Sequence, residues 1–271
     1  MKRYLKIEFQ ELSNEQTELL VAELSNSGFE GFEEVENGLN AFIPETDFNE
    51  MLLKEITEKR GVSFSKTVIE ETNWNEVWES NFNPVVVDDF VIIRADFHEP
   101  ITGVEHEIII TPKMSFGTGH HATTNMMIQQ MREVDFAGKV VFDFGTGTGI
   151  LAILAEKLGA EKILAVDNDD WSISNTEENL GRNSCKKVEL IKADNAESAE
   201  QFDIILANIN KNVIIENFSL LVERLSRDGI LLLSGLLDQD EPDILQIAAE
   251  HSLNFIKKKE QNKWISLRFN Y

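Results

Sequence analysis

Three glycines at alternate positions, Gly145, Gly147 and Gly149, follow the apolar run Val140-Val141-Phe142-Asp143-Phe144 and precede a helical pattern. A strand running into such a turn brings backbone close to a ligand, because glycine takes φ > 0 without steric cost and the next helix begins with unpaired N–H donors. A dinucleotide turn would need a further glycine at position 150, where this chain has Ile150. The turn therefore suits a nucleoside ligand without a pyrophosphate, and S-adenosylmethionine is the expected cofactor. Asp167, 22 residues beyond Gly145, closes the next apolar strand, where a carboxylate can accept hydrogen bonds from both ribose hydroxyls. The competing role of helix cap falls more naturally to Asn168 or Asp169, which stand nearer the next helix start. Asp194, after the third strand, is equally suited to the adenine amino group or to a loop cap. Asn208 ends the fourth strand, where its amide oxygen can orient an amine or the cofactor, or simply brace the strand end.

These residues need a frame, and the pattern supplies one. Strands are expected near 140–143, 162–167, 188–192 and 203–207, with helices near 149–158, 169–180 and 209–225. Strand–helix alternation of this kind builds a parallel, doubly wound sheet, with the ligand outside the carboxyl ends of the strands where strand order reverses. Gly229 to Ser234 reads as a further strand and Glu241 to Glu250 as a helix, and Leu253–Lys259 and Trp264–Phe269 form a hairpin across Gln261-Asn262. The expected fold is α/β, a seven-stranded Rossmann-like sheet with a reversed terminal strand, an arrangement associated with methyltransferases. Ahead of it, residues 85–94 and 106–111 read as strands, and a second glycine-rich segment, Pro112 to Thr124, opens a helix.

The first 70 residues read differently. A strand at 4–9, a helix at 15–24, strands at 29–35 and 39–43 joined at Asn37-Gly38, a helix from Phe48 to Arg60 closed by Gly61, and a strand at 63–70 give the order β-α-β-β-α-β. That order suggests a small α+β ferredoxin-like domain. The expected organisation is thus a domain at 1–70, a linker helix at 71–84 carrying Trp74 and Trp78, and a catalytic domain at 85–271.

Charge narrows the partners. Twenty-five basic against 48 acidic side chains leave a net charge of −23, which repels phosphate backbones and attracts basic proteins. Direct nucleic-acid binding is not expected. No signal peptide or membrane span is legible, the single Cys185 excludes an internal disulfide, and no Cys/His spacing matches a metal site, so a cytoplasmic monomer without a metal is expected.

Three words together are more specific than any single turn: Phe116-Gly117-Thr118-Gly119-x-His121-x-Thr123-Thr124, Asp143-Phe144-Gly145-x-Gly147-x-Gly149-Ile150-Leu151-Ala152, and Ala207-Asn208-Ile209. On these the chain resembles the bacterial methyltransferase family that modifies ribosomal protein L-eleven, over both domains. It departs from the family pattern at Lys113, His120 and Ala122. The resemblance implies S-adenosylmethionine contacts from Thr124, Gly145, Asp167 and Asn208, with Gly147 in the same turn, and substrate recognition by the N-terminal domain. It implies methylation of a basic ribosomal protein on lysine side chains and/or its N-terminal amine. Asn208 is followed by Ile209-Asn210 and not by the Pro-Pro-aromatic run that holds planar nitrogens, so an aliphatic amine is the better acceptor.

No catalytic base is identifiable. His120 or His121 could serve, though helix capping or packing is the simpler role. The segment 112–124, with Phe116 as apolar cover, is expected to fold over bound cofactor. Three other functions stay open at this point: a methyltransferase acting on a small molecule, a nicotinamide oxidoreductase that tolerates Ile150, and a non-catalytic ribosome-assembly partner.

Overall fold

A computed structural model describes residues 3–25, 27–35, 38–69, 82–111, 119–198 and 200–271. Asn37, the linker helix with Trp74 and Trp78, and Phe116 lie outside the described residues. The chain divides into two compact units, residues 1–81 and 82–271.

In the first unit, β1 (Tyr4–Gln10), α1 (Asn14–Ser25), β2 (Gly31–Val35), β3 (Gly38–Pro44), α2 (Glu50–Arg60) and β4 (Phe64–Ile69) follow in order. The sheet runs β2-β3-β1-β4 with every neighbouring pair antiparallel. β1 and β2 therefore point the same way with β3 between them. Period-two alternation sends Leu5, Ile7 and Phe9 into a core shared with Leu20, Leu24, Leu53 and Ile56. Helix α2 begins two residues later than the apolar pattern suggested, because the Asn49 side chain accepts the Met51 and Leu52 N–H groups as cap. It ends at Gly61 with φ of 66°.

The second unit is built on β8 (Val140–Phe144), β9 (Lys162–Asp167), β10 (Val188–Lys192), β11 (Phe202–Asn208), β12 (Leu225–Leu237), β13 (Asn254–Gln261) and β14 (Trp264–Asn270). Their order in the sheet is β10-β9-β8-β11-β12-β14-β13. β14 is antiparallel to both of its neighbours, and β8 to β12 are parallel. Parallel strands are buried on both faces, and the sequence obliges. Val141, Ile163, Ala165, Ile204 and Leu206 pack towards α3 (Ala122–Met131) and α4 (Ile150–Lys157). Phe142, Phe144, Ile205 and Ala207 pack towards α6 (Lys211–Arg224) and α7 (Glu241–Glu250). Helix α5 (Asp170–Arg182) connects β9 to β10. The chain leaves β8 in one direction for β9 and β10, then returns to the other side of β8 for β11. In open sheets of this order the ligand crevice lies at such a switch of direction, here the carboxyl ends of β8 and β11.

Three local expectations are corrected. The strand expected over 85–94 is two strands, β5 (Val85–Val87) and β6 (Val91–Ala95), because Asp88 takes a left-handed φ of 53° and turns the chain. With β7 (His106–Ile110) they form a separate three-stranded sheet. The terminal hairpin turns at Asn262-Lys263, one residue later than expected, with both residues at positive φ (52° and 65°) as a two-residue turn requires. β12 extends past Ser234 because Gly235, at φ 82°, absorbs a register shift between Leu233 and Leu236. Among the described residues, no helix is long and apolar enough to cross a membrane.

Candidate functional site

At the end of β8, Gly145, Gly147 and Gly149 all adopt left-handed φ, 75°, 58° and 81°. Two of them are also pressed by neighbours: a Cβ on Gly145 would lie 2.2 Å from Ile209 Cγ2, and one on Gly149 would lie 2.9 Å from Thr176 Cγ2. Only glycine satisfies both the dihedral and the contact. Gly149 is the first cap of α4 and carries no side-chain cap, so the helix begins with backbone donors at the turn.

Asp167 closes β9 beside this turn. Its Oδ2 accepts the Gly147 N–H at 2.9 Å and its Oδ1 the Asp169 N–H at 3.0 Å. Each oxygen keeps further acceptor capacity, and the residue is only half-buried. Asp169, not Asp167, caps α5, accepting the Ser172 N–H at 2.8 Å.

Asp143 was legible only as a strand-end residue of the glycine motif; the structure puts its carboxyl, fully buried, beneath the turn. Thr146 Oγ1 donates to Asp143 Oδ2 at 2.6 Å, and Oδ1 has no hydrogen-bond partner. Burial pushes the carboxyl up to about 7; Thr146 and the Ala152 N–H pull the other way, and the nearby Asp167 charge adds to the rise. An acidic residue inside an otherwise apolar strand was the available signal.

The opposite wall joins two residues 84 positions apart. Asn208 Nδ2, at the end of β11, donates to Thr124 Oγ1 at 3.3 Å in the first turn of α3. Thr124 is buried and Asn208 half-buried. Ile209 sits against Gly145 with its side chain, and its carbonyl packs so closely on Gly235 that a Cβ there would lie 2.1 Å away. The Ile209 contacts were invisible in the sequence, since they depend on β11 lying beside β8 and on the β12 bulge. Thr124, Gly145, Gly147, Asp167 and Asn208 thus come together at the carboxyl ends of β8, β9 and β11.

Of the other candidates, His121 has a capping role and His120 and Asp194 are exposed. His121 is the cap of α3, accepting the Thr123 N–H at 3.4 Å, with its ring edge-on to Trp264 at 4.7 Å. His120 is exposed and meets the Phe82 ring edge at 4.9 Å. Asp194 is exposed beyond β10. Burial, chiefly, raises the Cys185 thiol to about 11, which keeps it an unreactive bystander. Among the described residues, no group of three His, Cys, Asp or Glu side chains could hold a metal ion.

A family model for ribosomal protein L11 methyltransferase (PrmA) matches residues 6–271. The chain belongs to the ribosomal protein L11 methyltransferase family. A relative of that name from Porphyromonas gingivalis is 41% identical over 260 residues, covering 93% of this chain and 90% of the relative. One from Phocaeicola vulgatus is 36% identical over 280 residues, covering 98% and 99%. The crystal structure of a ribosomal protein L11 methylase from Lactobacillus delbrueckii subsp. bulgaricus matches with a TM-score of 0.65 at 30% identity, covering 70% of this chain and 98% of that one. Family membership makes the crevice between β8 and β11 the candidate site of a methyltransferase and sets the oxidoreductase alternative aside.

Proposed function

We propose that this protein transfers methyl groups from S-adenosylmethionine to lysine side chains and/or the N-terminal amine of ribosomal protein L11. The observation that carries the proposal is the meeting of the glycine turn, the Asp167 carboxylate and the Thr124–Asn208 pair at one end of the sheet. The donor set suits this cofactor. Asp167 has acceptor capacity on both oxygens for a ribose diol.

When bound, S-adenosylmethionine supplies a methyl group on a positively charged sulfur. In the proposed reaction Gly145 and Gly147 admit it by close backbone approach, Asp167 fixes the sugar, and Thr124 lines the opposite wall. Asn208, whose amide nitrogen is engaged by Thr124, keeps its Oδ1 to accept an N–H from the substrate amine and aim the nitrogen lone pair. That amine must be neutral to attack, against an ordinary lysine pKa of about 10.4. Transfer from water into the crevice lowers the value, and so does the neighbouring sulfonium charge. The ammonium proton would pass to water before attack, and the neutral nitrogen would then take the methyl group together with the positive charge, leaving an uncharged thioether.

The acidic surface, net −23, favours encounter with a basic substrate, and the N-terminal unit is the proposed recognition module. A lone, largely unreactive thiol accords with a cytoplasmic setting. Incubation with methyl-labelled S-adenosylmethionine and purified ribosomal protein L11, followed by mass mapping of the label, tests the proposal. Label on lysine or N-terminal amines supports it; an unlabelled substrate overturns it.

A further inference from the structure

Helix α5 and its C-cap carry amide side chains at four-residue spacing, Asn175, Asn179 and the cap Asn183, the first two fully buried. β7 pairs with β6 on one side only, so the backbone groups along its other edge need partners. Asn183 accepts the Ile109 N–H at 3.0 Å and donates to the Ile109 carbonyl at 2.6 Å, and Asn179 Oδ1 accepts the Thr111 N–H at 2.7 Å. The match is geometric: two residues of strand advance about 6.6 Å, and four residues of helix about 6 Å.

The same helix reaches the glycine turn. Asn179 Nδ2 donates to the Thr148 carbonyl at 2.8 Å, and Thr176 Oγ1 donates to the Gly147 carbonyl at 2.6 Å. Gly147 is thereby held at both ends, its N–H by Asp167 and its carbonyl by Thr176. Both helix residues are fully buried.

We propose that Thr176 and Asn179 are positioning residues for cofactor binding, fixing the Gly147 and Thr148 carbonyls from behind so that the turn's N–H groups and the Asp167 carboxylate keep their aim. The proposal rests on the crevice being the S-adenosylmethionine site. Asn183, which ties α5 only to β7 and to its own helix, supplies the internal control.

The test is isothermal calorimetry with S-adenosylmethionine and S-adenosylhomocysteine on the full-length protein and on Thr176→Val, Thr176→Ser, Asn179→Ala and Asn183→Ala, each with a thermal melt. Thr176→Val and Asn179→Ala are expected to raise both dissociation constants about tenfold, Thr176→Ser to restore wild-type affinity, and Asn183→Ala to lower Tm with affinity within about twofold of wild type. Thr176→Val preserves side-chain volume and keeps the test decisive should Asn179→Ala not fold. Unchanged affinity in a folded Thr176→Val, or an equal loss in Asn183→Ala, overturns the proposal. Failure of the wild-type protein to bind either ligand refutes the proposed function instead.

Discussion

On the β8–β9 side of the crevice, Gly147 is gripped at its N–H and its carbonyl, Gly145 and Gly149 have no room for a Cβ, and Asp167 accepts two backbone donors. On the β11 side, Asn208 and Thr124 share a single hydrogen bond of 3.3 Å, and Thr124 hangs from a helix capped by His121. The first wall is over-determined, as suits a cofactor that is the same in every turnover. The second is more lightly held, as suits the wall that in the proposed reaction receives an amine on a mobile side chain. Preorganisation is thus concentrated where the ligand is invariant.

The largest effect expected from this contrast is at Gly145. Gly145→Ala places a methyl group on Ile209 in a left-handed backbone and should weaken S-adenosylmethionine binding at least a hundredfold by calorimetry, with Ile209→Ala recovering part of the loss in the double variant. Full affinity in Gly145→Ala would remove the distinction between the walls. Asp167→Ala comes next. Loss of charged hydrogen-bond acceptors, worth about 1.5–3 kcal/mol each, should raise the dissociation constant ten- to a hundredfold.

A smaller change is expected across the crevice. Asn208→Ala removes a neutral hydrogen bond, worth about 0.5–1.5 kcal/mol, so cofactor affinity should fall only a few-fold while turnover on ribosomal protein L11 falls about tenfold. An affinity loss as large as that of Asp167→Ala would mean that the two walls grip the cofactor equally.

Asp143, beneath the rigid wall, is read through stability and not through binding. Its carboxyl is raised from 3.8 to about 7, so the folded protein keeps a proton that the unfolded chain releases between these values. Stability from this group is complete below about pH 4, falls as pH rises, and is fully lost above about pH 7. Asp143→Asn should abolish this slope, raising Tm by several °C at pH 8 and by less at pH 5, at about 2–4 °C per kcal/mol for a domain of this size. Thermal melts across pH 4 to 8 check it; parallel curves for the two proteins would show that Asp143 is ionised throughout.

Much of the frame was legible residue by residue. The β8 to β11 strands announce themselves as β-rich apolar runs, α5 as a capped amphipathic stretch after Asp169, and the glycine turn as a backbone that only glycine can follow. Where local signals misled, a single residue was responsible. Asp88 broke a strand without being glycine or proline, and Lys263 joined Asn262 in a left-handed turn that lysine seldom enters.

Periodicity, caps and glycine dihedrals are properties of neighbours along the chain, and for this protein they were enough to indicate the doubly wound sheet, the glycine turn and a carboxylate, Asp167, at the end of the next strand. The Thr124–Asn208 bond across 84 residues, the wedging of Ile209 between Gly145 and Gly235, the contact of His121 with Trp264 and the α5 ties behind the turn were decided only by the folded chain. Each depends on sheet register, a bulge or a helix–strand spacing, and those are settled by packing between segments that carry no mark of one another in sequence.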